Sequence, residues 1–298
     1  MIVTFHILTD DNTMNRYPVI DLYSKIENLI NLIPDGMVTS YGSIASALGD
    51  SVATMAVANY VNNNNNFKKK VKSKSEINKI NKDKIFKEIP YDGILKKLAN
   101  FQKNFKKKIA LNDGDDKTKY VMALDSSYQI DKNVEYQITA SVFMDLNEKK
   151  VLSTSISVVE VKFPYIKTYL AFRELPGMLS LLSVVPENTV LLVDGNGILH
   201  PRYTGLATML SILADVPAIG VAKSFLSGTV KDDRIYMFSV EVGRIIKLVN
   251  KIYYVSPGNR ISIEKSVKII KKFVDGNNIL PLKLADNRSK IWKKALFK

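Results

Sequence analysis

Four charged residues stand where apolar runs end. Asp194 follows the apolar stretch 190–193 and precedes Gly195-Asn196-Gly197. An unpaired buried carboxylate is costly, and in open α/β sheets the carboxyl ends of strands are where ligands bind. The neighbouring glycines would let backbone or phosphate approach closely. The plainer alternative is an aspartate capping a helix at a turn. Asp125 repeats the arrangement: it ends the run 120–124 and is followed by Ser126 and Ser127. Glu174 lies near the end of Ala171-Phe172-Arg173-Glu174-Leu175-Pro176, and Lys223 closes the apolar segment 216–222. Taken singly, each is an ordinary cap or ion-pair partner. Taken together, three acids and a lysine can serve one divalent cation. Two carboxylates neutralise Mg²⁺ and leave positions for water and a phosphate oxygen. Such an ion acidifies water and steadies charge on phosphate, and a lysine holds the phosphate or steers the nucleophile.

Composition narrows the chemistry. The chain has no cysteine, which excludes disulfides, thiolate nucleophiles, zinc fingers and iron–sulfur ligation. It has two histidines, His6 and His200, too few for a histidine-rich metal site. A catalytic metal must then be held by oxygen, which favours Mg²⁺, with Mn²⁺ as a substitute. No run reaches the roughly eighteen apolar residues of a membrane span, and the amino terminus lacks a signal pattern. A cytoplasmic protein without membrane contact is expected.

Elements must bring these residues together. At 46% apolar, the 298 residues suffice for a sizeable core and about two domains. Residues 1–61 have helical periodicity, 62–89 form an Asn/Lys-rich linker with too few apolar residues to pack, and 90–298 are globular. In the last zone the pattern predicts a helix over 93–109 and a strand at 120–127. A hairpin follows from 134–145 and 150–161, then a helix at 166–183 and a strand at 189–194. Further on come a helix at 204–214, a strand at 217–222, strands near 234–240 and 252–255, a helix at 261–274 and a lysine-rich tail helix. A hairpin followed by helix–strand alternation argues an α/β sandwich with a mixed sheet. The net charge of +14 is concentrated: residues 67–108 hold fifteen lysines against four acids, leaving about +3 elsewhere. That run suits phosphate binding by counterion release or is a solvated spacer.

At these residues the chain resembles a known family. YVMALDSSY (120–128), FREL (172–175), LLVDGNGILHPR (191–202), IGVAKS (219–224), VSPGNRIS (255–262) and LADNRS (284–289) are similar to endonuclease V, in family order, over about 90–298. The resemblance implies a ribonuclease H-like mixed sheet with flanking helices. It implies a Mg²⁺- or Mn²⁺-dependent nuclease that nicks the second phosphodiester 3′ to deoxyinosine, leaving 3′-hydroxyl and 5′-phosphate ends. Asp125 and Asp194 match the family's metal-binding aspartates, Glu174 its third acid and Lys223 its motif lysine. The implied partner is DNA containing deoxyinosine. Inosine-containing RNA, or damaged DNA bound without cleavage, are the alternatives. Pro164-Tyr165-Ile166 resembles the family wedge, in which a tyrosine fills the gap left by a flipped base. Packing at a strand end is the other reading of Tyr165. Lys167 replaces the motif's second proline. His200 matches a family histidine, expected near the DNA or in a structural hydrogen bond. Asn259 stands where the family carries a histidine close to the metal.

Residues 21–61 resemble the winged-helix DNA-binding part of alkylguanine-DNA alkyltransferases, most clearly in IPDGMVTSYGSIASALGD (33–50). Tyr41 matches that family's phosphate-side tyrosine, and Met55 falls where it has an arginine finger. Two short helices around Gly49 predict a small amino-terminal helix-turn-helix domain. Without cysteine it cannot transfer alkyl groups by a thiolate. DNA docking, or a role in folding only, remains for it.

Overall fold

The computed structural model describes residues 3–6, 17–113 and 117–297, with 3–6 as backbone only. Most of the amino-terminal stretch that lacks a signal pattern lies outside the described residues. The chain divides into two compact units, a helical one (20–101 with 162–173) and a sheet unit (1–19, 102–161 and 174–298).

In the helical unit, α1 (Leu22–Asn31) starts at Asp21, whose carboxylate accepts from the Ser24 N–H at 2.9 Å. Strand β2 (Thr39–Ser40) leads into α2 (Tyr41–Leu48), capped by the Ser40 hydroxyl. Helix α2 ends at Gly49, whose φ of 101° suits glycine. A 3₁₀ turn at Ser51–Ala53 and α3 (Thr54–Asn63) complete the expected helix-turn-helix. The expected linker is not a free tether. Strand β3 (Val71–Lys72) pairs parallel with β2, and α4 (Lys74–Ile77) carries a Ser73/Glu76 capping box. Val38 and Phe86 exchange backbone hydrogen bonds with Lys84 and Val38. Val71 is fully buried. One apolar anchor plus a backbone ladder orders a segment that composition alone reads as unable to pack. Helix α5 (Ile94–Phe105) follows, and the boundary between units falls inside it, not near residue 90. The stretch 162–173 returns to the helical unit because its rings pack there: Phe172 lies against Phe101, Phe163 and Tyr169.

Among the described residues, the main sheet of the sheet unit has ten strands: β1 (Val3–His6), β4 (Tyr120–Asp131), β5 (Val134–Asp145), β6 (Val151–Glu160), β7 (Thr189–Asp194), β8 (Ala218–Ala222), β9 (Thr229–Lys231), β10 (Arg234–Met237), β11 (Val240–Lys247) and β12 (Ile252–Asn259). Their order is β1-β6-β5-β4-β7-β8-β12-β11-β10-β9. Strands β4, β7 and β8 run parallel at the centre, antiparallel pairings extend the sheet on both sides, and β1 adds a parallel edge beside β6. This is the expected mixed α/β sheet. Helices α6 (Leu170–Leu179), α7 (Leu206–Ala214), α8 (Ile263–Lys272) and α9 (Leu280–Leu296) flank it, with a small hairpin of β13 (Val274–Asp275) and β14 (Asn278–Ile279) between the last two. One sheet face, including Val121, Ala123, Val190, Leu192, Ile219 and Val221, packs on Ile269, Phe273, Leu282 and Ala285 of the α8–α9 region.

Candidate active site

Strand periodicity builds the site. Side chains two apart share a face, so Asp125 continues Val121 and Ala123, Asp194 continues Val190 and Leu192, and Lys223 continues Ile219 and Val221. All three therefore leave the apolar face that α8 and α9 cover: Asp194 ends β7, Lys223 follows β8, and Asp125 lies within β4, just past the point where its pairing with β7 stops. Register aligns them as well: Leu124 pairs with Val193, and Asp194 pairs with Val221. The Lys223 ammonium makes a tight ion pair with Asp194 and stands 3.9 Å from Asp125 Oδ2. Asp125 Oδ1 accepts from the Ser126 N–H at 2.7 Å, whereas the buried Oδ2 has no hydrogen-bond donor. Burial first, then the negative charge of Asp194, pushes the Asp125 carboxyl up to about 8, against the pull of Lys223. Burial lowers the Lys223 pKa more than any single neighbour raises it, but the charge and hydrogen bond of Asp194 together with the charges of Asp125 and Asp286 outweigh it, and the net shift is upward.

A further acid belongs to this cluster. The charge of Asp286, on α9, raises both Asp125 and Lys223. Asp286 itself accepts from Lys290 one turn later, at 2.7 Å. It sits in the LADNRS segment, and its place beside the core residues Leu282 and Ala285 is the signal that could have found it: an acid on the rim of a helix's buried stripe. Glu174, by contrast, does not join the pair. Its carboxylate accepts from the Tyr128 hydroxyl at 2.9 Å, and its backbone carbonyl accepts from Gln137. Tyr128 and Ser126 alternate with Asp125 along β4, so α6 meets the opposite face. Among the described residues, no three acids or histidines form a ready metal cage.

The glycines next to Asp194 have a structural explanation. A Cβ on Gly197 would lie 2.1 Å from the Pro257 carbonyl oxygen, and one on Gly220 would lie 2.3 Å from the Gly197 nitrogen. These glycines let the 195–197 loop lie flat on β8 and β12, where the Gly197 N–H donates to the Ser256 hydroxyl at 2.8 Å. His200 is buried, and its Nδ1 accepts from the Arg202 N–H at 3.2 Å. Tyr165 is 64% exposed between buried Pro164 and Ile166, so its ring projects from an anchored loop of the helical unit. In the same unit Tyr41 is half-buried at the start of α2, and Met55 is exposed on α3.

The family profile described as Endonuclease V matches residues 103–287. The chain belongs to the endonuclease V family. It is thereby a nuclease, a hydrolase. It is 32% identical over 291 residues to a bifunctional methyltransferase-like/endonuclease of Nanoarchaeum equitans, with 95% of each chain covered. It is 37% identical over 197 residues to an endonuclease V of Pyrococcus abyssi, covering 66% of this chain and 92% of that one. Among solved structures, the endonuclease V of Ciona intestinalis, in complex with a 24mer DNA containing an inosine followed by a ribo-adenosine, superposes with a TM-score of 0.62. That match has 26% identity and covers 69% of this chain and all of the other. The amino-terminal extension is thus shared with the bifunctional relatives and lies outside the endonuclease V match.

One expectation drawn from the endonuclease V resemblance is overturned. Asn259 is not close to the acids. Strand β12 runs antiparallel to β8 and pairs Asn259 with Ala218, at the end of β8 opposite Lys223. There the Asn259 side-chain carbonyl accepts from the Ala110 N–H at 2.8 Å, and its backbone carbonyl accepts from Ser211. It is a staple for the 109–113 segment. Asn259→Ala should therefore leave the catalytic rate unchanged while costing about 1–3 kcal/mol of stability through the orphaned N–H. Parallel denaturant melts and single-turnover rates check this; a large rate loss without destabilisation would return Asn259 to the chemistry.

Proposed function

We propose that the chain is a divalent-metal-dependent DNA repair endonuclease that nicks the second phosphodiester 3′ to deoxyinosine, leaving 3′-hydroxyl and 5′-phosphate ends, in the cytoplasm. The observation that carries the reading is the juxtaposition of Asp125 and Asp194 on adjacent strands, just past the point where the β4–β7 pairing stops, with Asp125 Oδ2 buried and without a donor. A hard cation fits such an oxygen site, and the Lys223 ammonium already answers the demand for positive charge there. Asp125 and Asp194 would hold Mg²⁺ or Mn²⁺, which supplies water activation and neutralisation of the scissile phosphate.

The protein's own residues do the rest. Lys223 would hold or steer the scissile phosphate from its place beside Asp194. Asp286 keeps the local field negative, which favours retention of the ion. Tyr165 fills the stack vacated by the flipped base. The base edge is read by groups of the 195–197 loop, where Asn196 Oδ1 is a second buried acceptor without a hydrogen bond. Mapping the products from a duplex with one deoxyinosine tests the reading: cuts at any other bond, or none with Mn²⁺, defeat it.

Inosine-containing RNA is a second reading, favoured by the ribo-adenosine beside inosine in the ligand of the Ciona relative. Faster cutting of a matched RNA than of DNA would establish it. No helix among the described residues is long and apolar enough to cross a membrane. The helical unit would dock DNA, since the chain has no cysteine to accept an alkyl group. Replacing exposed lysines such as Lys68, Lys69 and Lys79 with glutamine should weaken binding to every sequence. It should flatten the salt dependence by about 0.9 in log–log slope for each phosphate no longer neutralised. An unchanged slope in a titration with undamaged duplex would show the run to be a spacer.

A further inference from the structure

We infer that Tyr253 is a positioning residue that holds Lys223 in its working place, an assignment that rests on reading Lys223 as part of the nuclease site. Strand β12 pairs Tyr254 with Ala222 and Val255 with Val221. One step further along that ladder, Tyr253 stands across from Lys223. Residues facing each other across an antiparallel ladder have Cβ atoms about 5 Å apart and interact. The two share a face, because Tyr253 and Val255 belong to the same core as Ile219 and Val221. Lys223 thus emerges from the core beside a fixed aromatic wall.

The wall is anchored from outside the catalytic strands. Tyr253 is only 4% exposed, and its hydroxyl donates to the Asn277 carbonyl at 3.2 Å. Asn277 lies in the turn between β13 and β14, and its side chain accepts from the Asn250 N–H at 2.7 Å. Lys251 bonds Asn278 in the same turn at 2.8 Å. The turn that anchors Tyr253 is thus itself pinned to the β11–β12 loop. The same hairpin runs directly into α9, which carries Asp286. Burial raises the Tyr253 hydroxyl most, and the charges of Lys223 and Asp194 act on it in opposite senses, as proximity requires. A lysine stem has four rotatable bonds. A ring alongside removes rotamers that would swing the ammonium away from Asp194, which is 20% exposed at its side chain.

The test uses the full chain without metal, then with it. Lysines are ¹³C-dimethylated, and the Lys223 methyl signal is identified by its disappearance in Lys223→Arg. Tyr253→Met, which keeps volume but removes the ring, should shift that signal because the ring current is gone; Tyr253→Phe should leave it near its wild-type position. In nicking assays at saturating duplex, Tyr253→Met should lower kcat about tenfold with KM within about twofold, and Tyr253→Phe should recover most of that rate. In a Lys223→Ala background, Tyr253→Met should cost nothing further. An unmoved Lys223 signal, or rate losses that simply multiply in the double variant, would overturn the assignment. Should the wild type fail to nick at all, a shifted Lys223 signal still supports the Tyr253 contact, and the nuclease reading alone falls.

Discussion

Replacing Asp194 with alanine is expected to cut nicking beside deoxyinosine by about 10³-fold or more while leaving thermal unfolding nearly unchanged. The two halves of that expectation have separate causes. The strand β7 is held by Val190, Leu191, Leu192 and Val193, all buried, and Asp194 comes after the last of them. Its side chain is partly exposed and bonded to a lysine that is itself more than half exposed. Trimming it removes an ion pair of small stabilising value and leaves no cavity in the core. For chemistry the loss is large. A cation site built on two carboxylates loses half its anionic charge, and the several kcal/mol of charge stabilisation that a metal gives a phosphoryl transition state go with it; each 1.4 kcal/mol is tenfold in rate. Asp194→Asn should lose nearly as much, since it keeps the shape and drops the charge. Gel-resolved single-turnover nicking with Mn²⁺ makes the comparison. If wild type and Asp194→Ala share one background rate, the chain is a binder of damaged DNA and not an enzyme.

Much of this site is visible in the residues before any fold is known, because it obeys the simplest periodicity. Asp125, Asp194 and Lys223 each end an apolar run, and alternation along a strand puts each on the face its run buries. Strand order and register are not in that pattern. They decide that the three runs are neighbours, and they require pairings far apart in sequence. Glu174 shows the limit most clearly: its helix has no marker of which sheet face it will cover, and it covers the one away from Asp125. The expected helix 166–183 contracts to Leu170–Leu179, since Thr168 takes a φ of 73° and breaks its start. Motif position alone puts Asn259 near the acids, yet an antiparallel strand carries it to the other end. The ordered path of 62–89 is invisible to composition because backbone pairing with β2 supplies what side-chain burial does not.

Asp125 should make the metal-free protein lose stability as pH rises, contrary to the usual behaviour of a carboxylate in a folded chain. Its carboxyl is pushed up to about 8 by burial and by Asp194, whereas in the unfolded chain it titrates near about 3.9. Between those values the folded state binds the extra proton, so the unfolding free energy falls with pH. The contribution is fully present below about pH 4 and is gone above about pH 8. At 1.36 kcal/mol per tenfold in proton affinity, the ceiling is about 6 kcal/mol. The coupled Lys223–Asp194 pair takes back part of it, which leaves a few kcal/mol, or on the order of 5–10 °C in Tm. Asp125→Asn is neutral at every pH, so its metal-free Tm should stay flat across this window and exceed that of wild type at pH 8. Divalent cation should reverse the ranking. Binding needs the deprotonated carboxylate and releases its proton, so Mn²⁺ should raise the wild-type Tm increasingly from pH 6 to 8 and leave Asp125→Asn nearly unmoved. Calorimetry of both proteins in EDTA and in Mn²⁺ reads all four curves. A wild-type Tm that is level from pH 5 to 8 in EDTA, or a variant that falls in parallel with it, would mean that Asp125 is ionised in the empty fold, and the buried, donor-less oxygen would lose its value as a mark of the cation site.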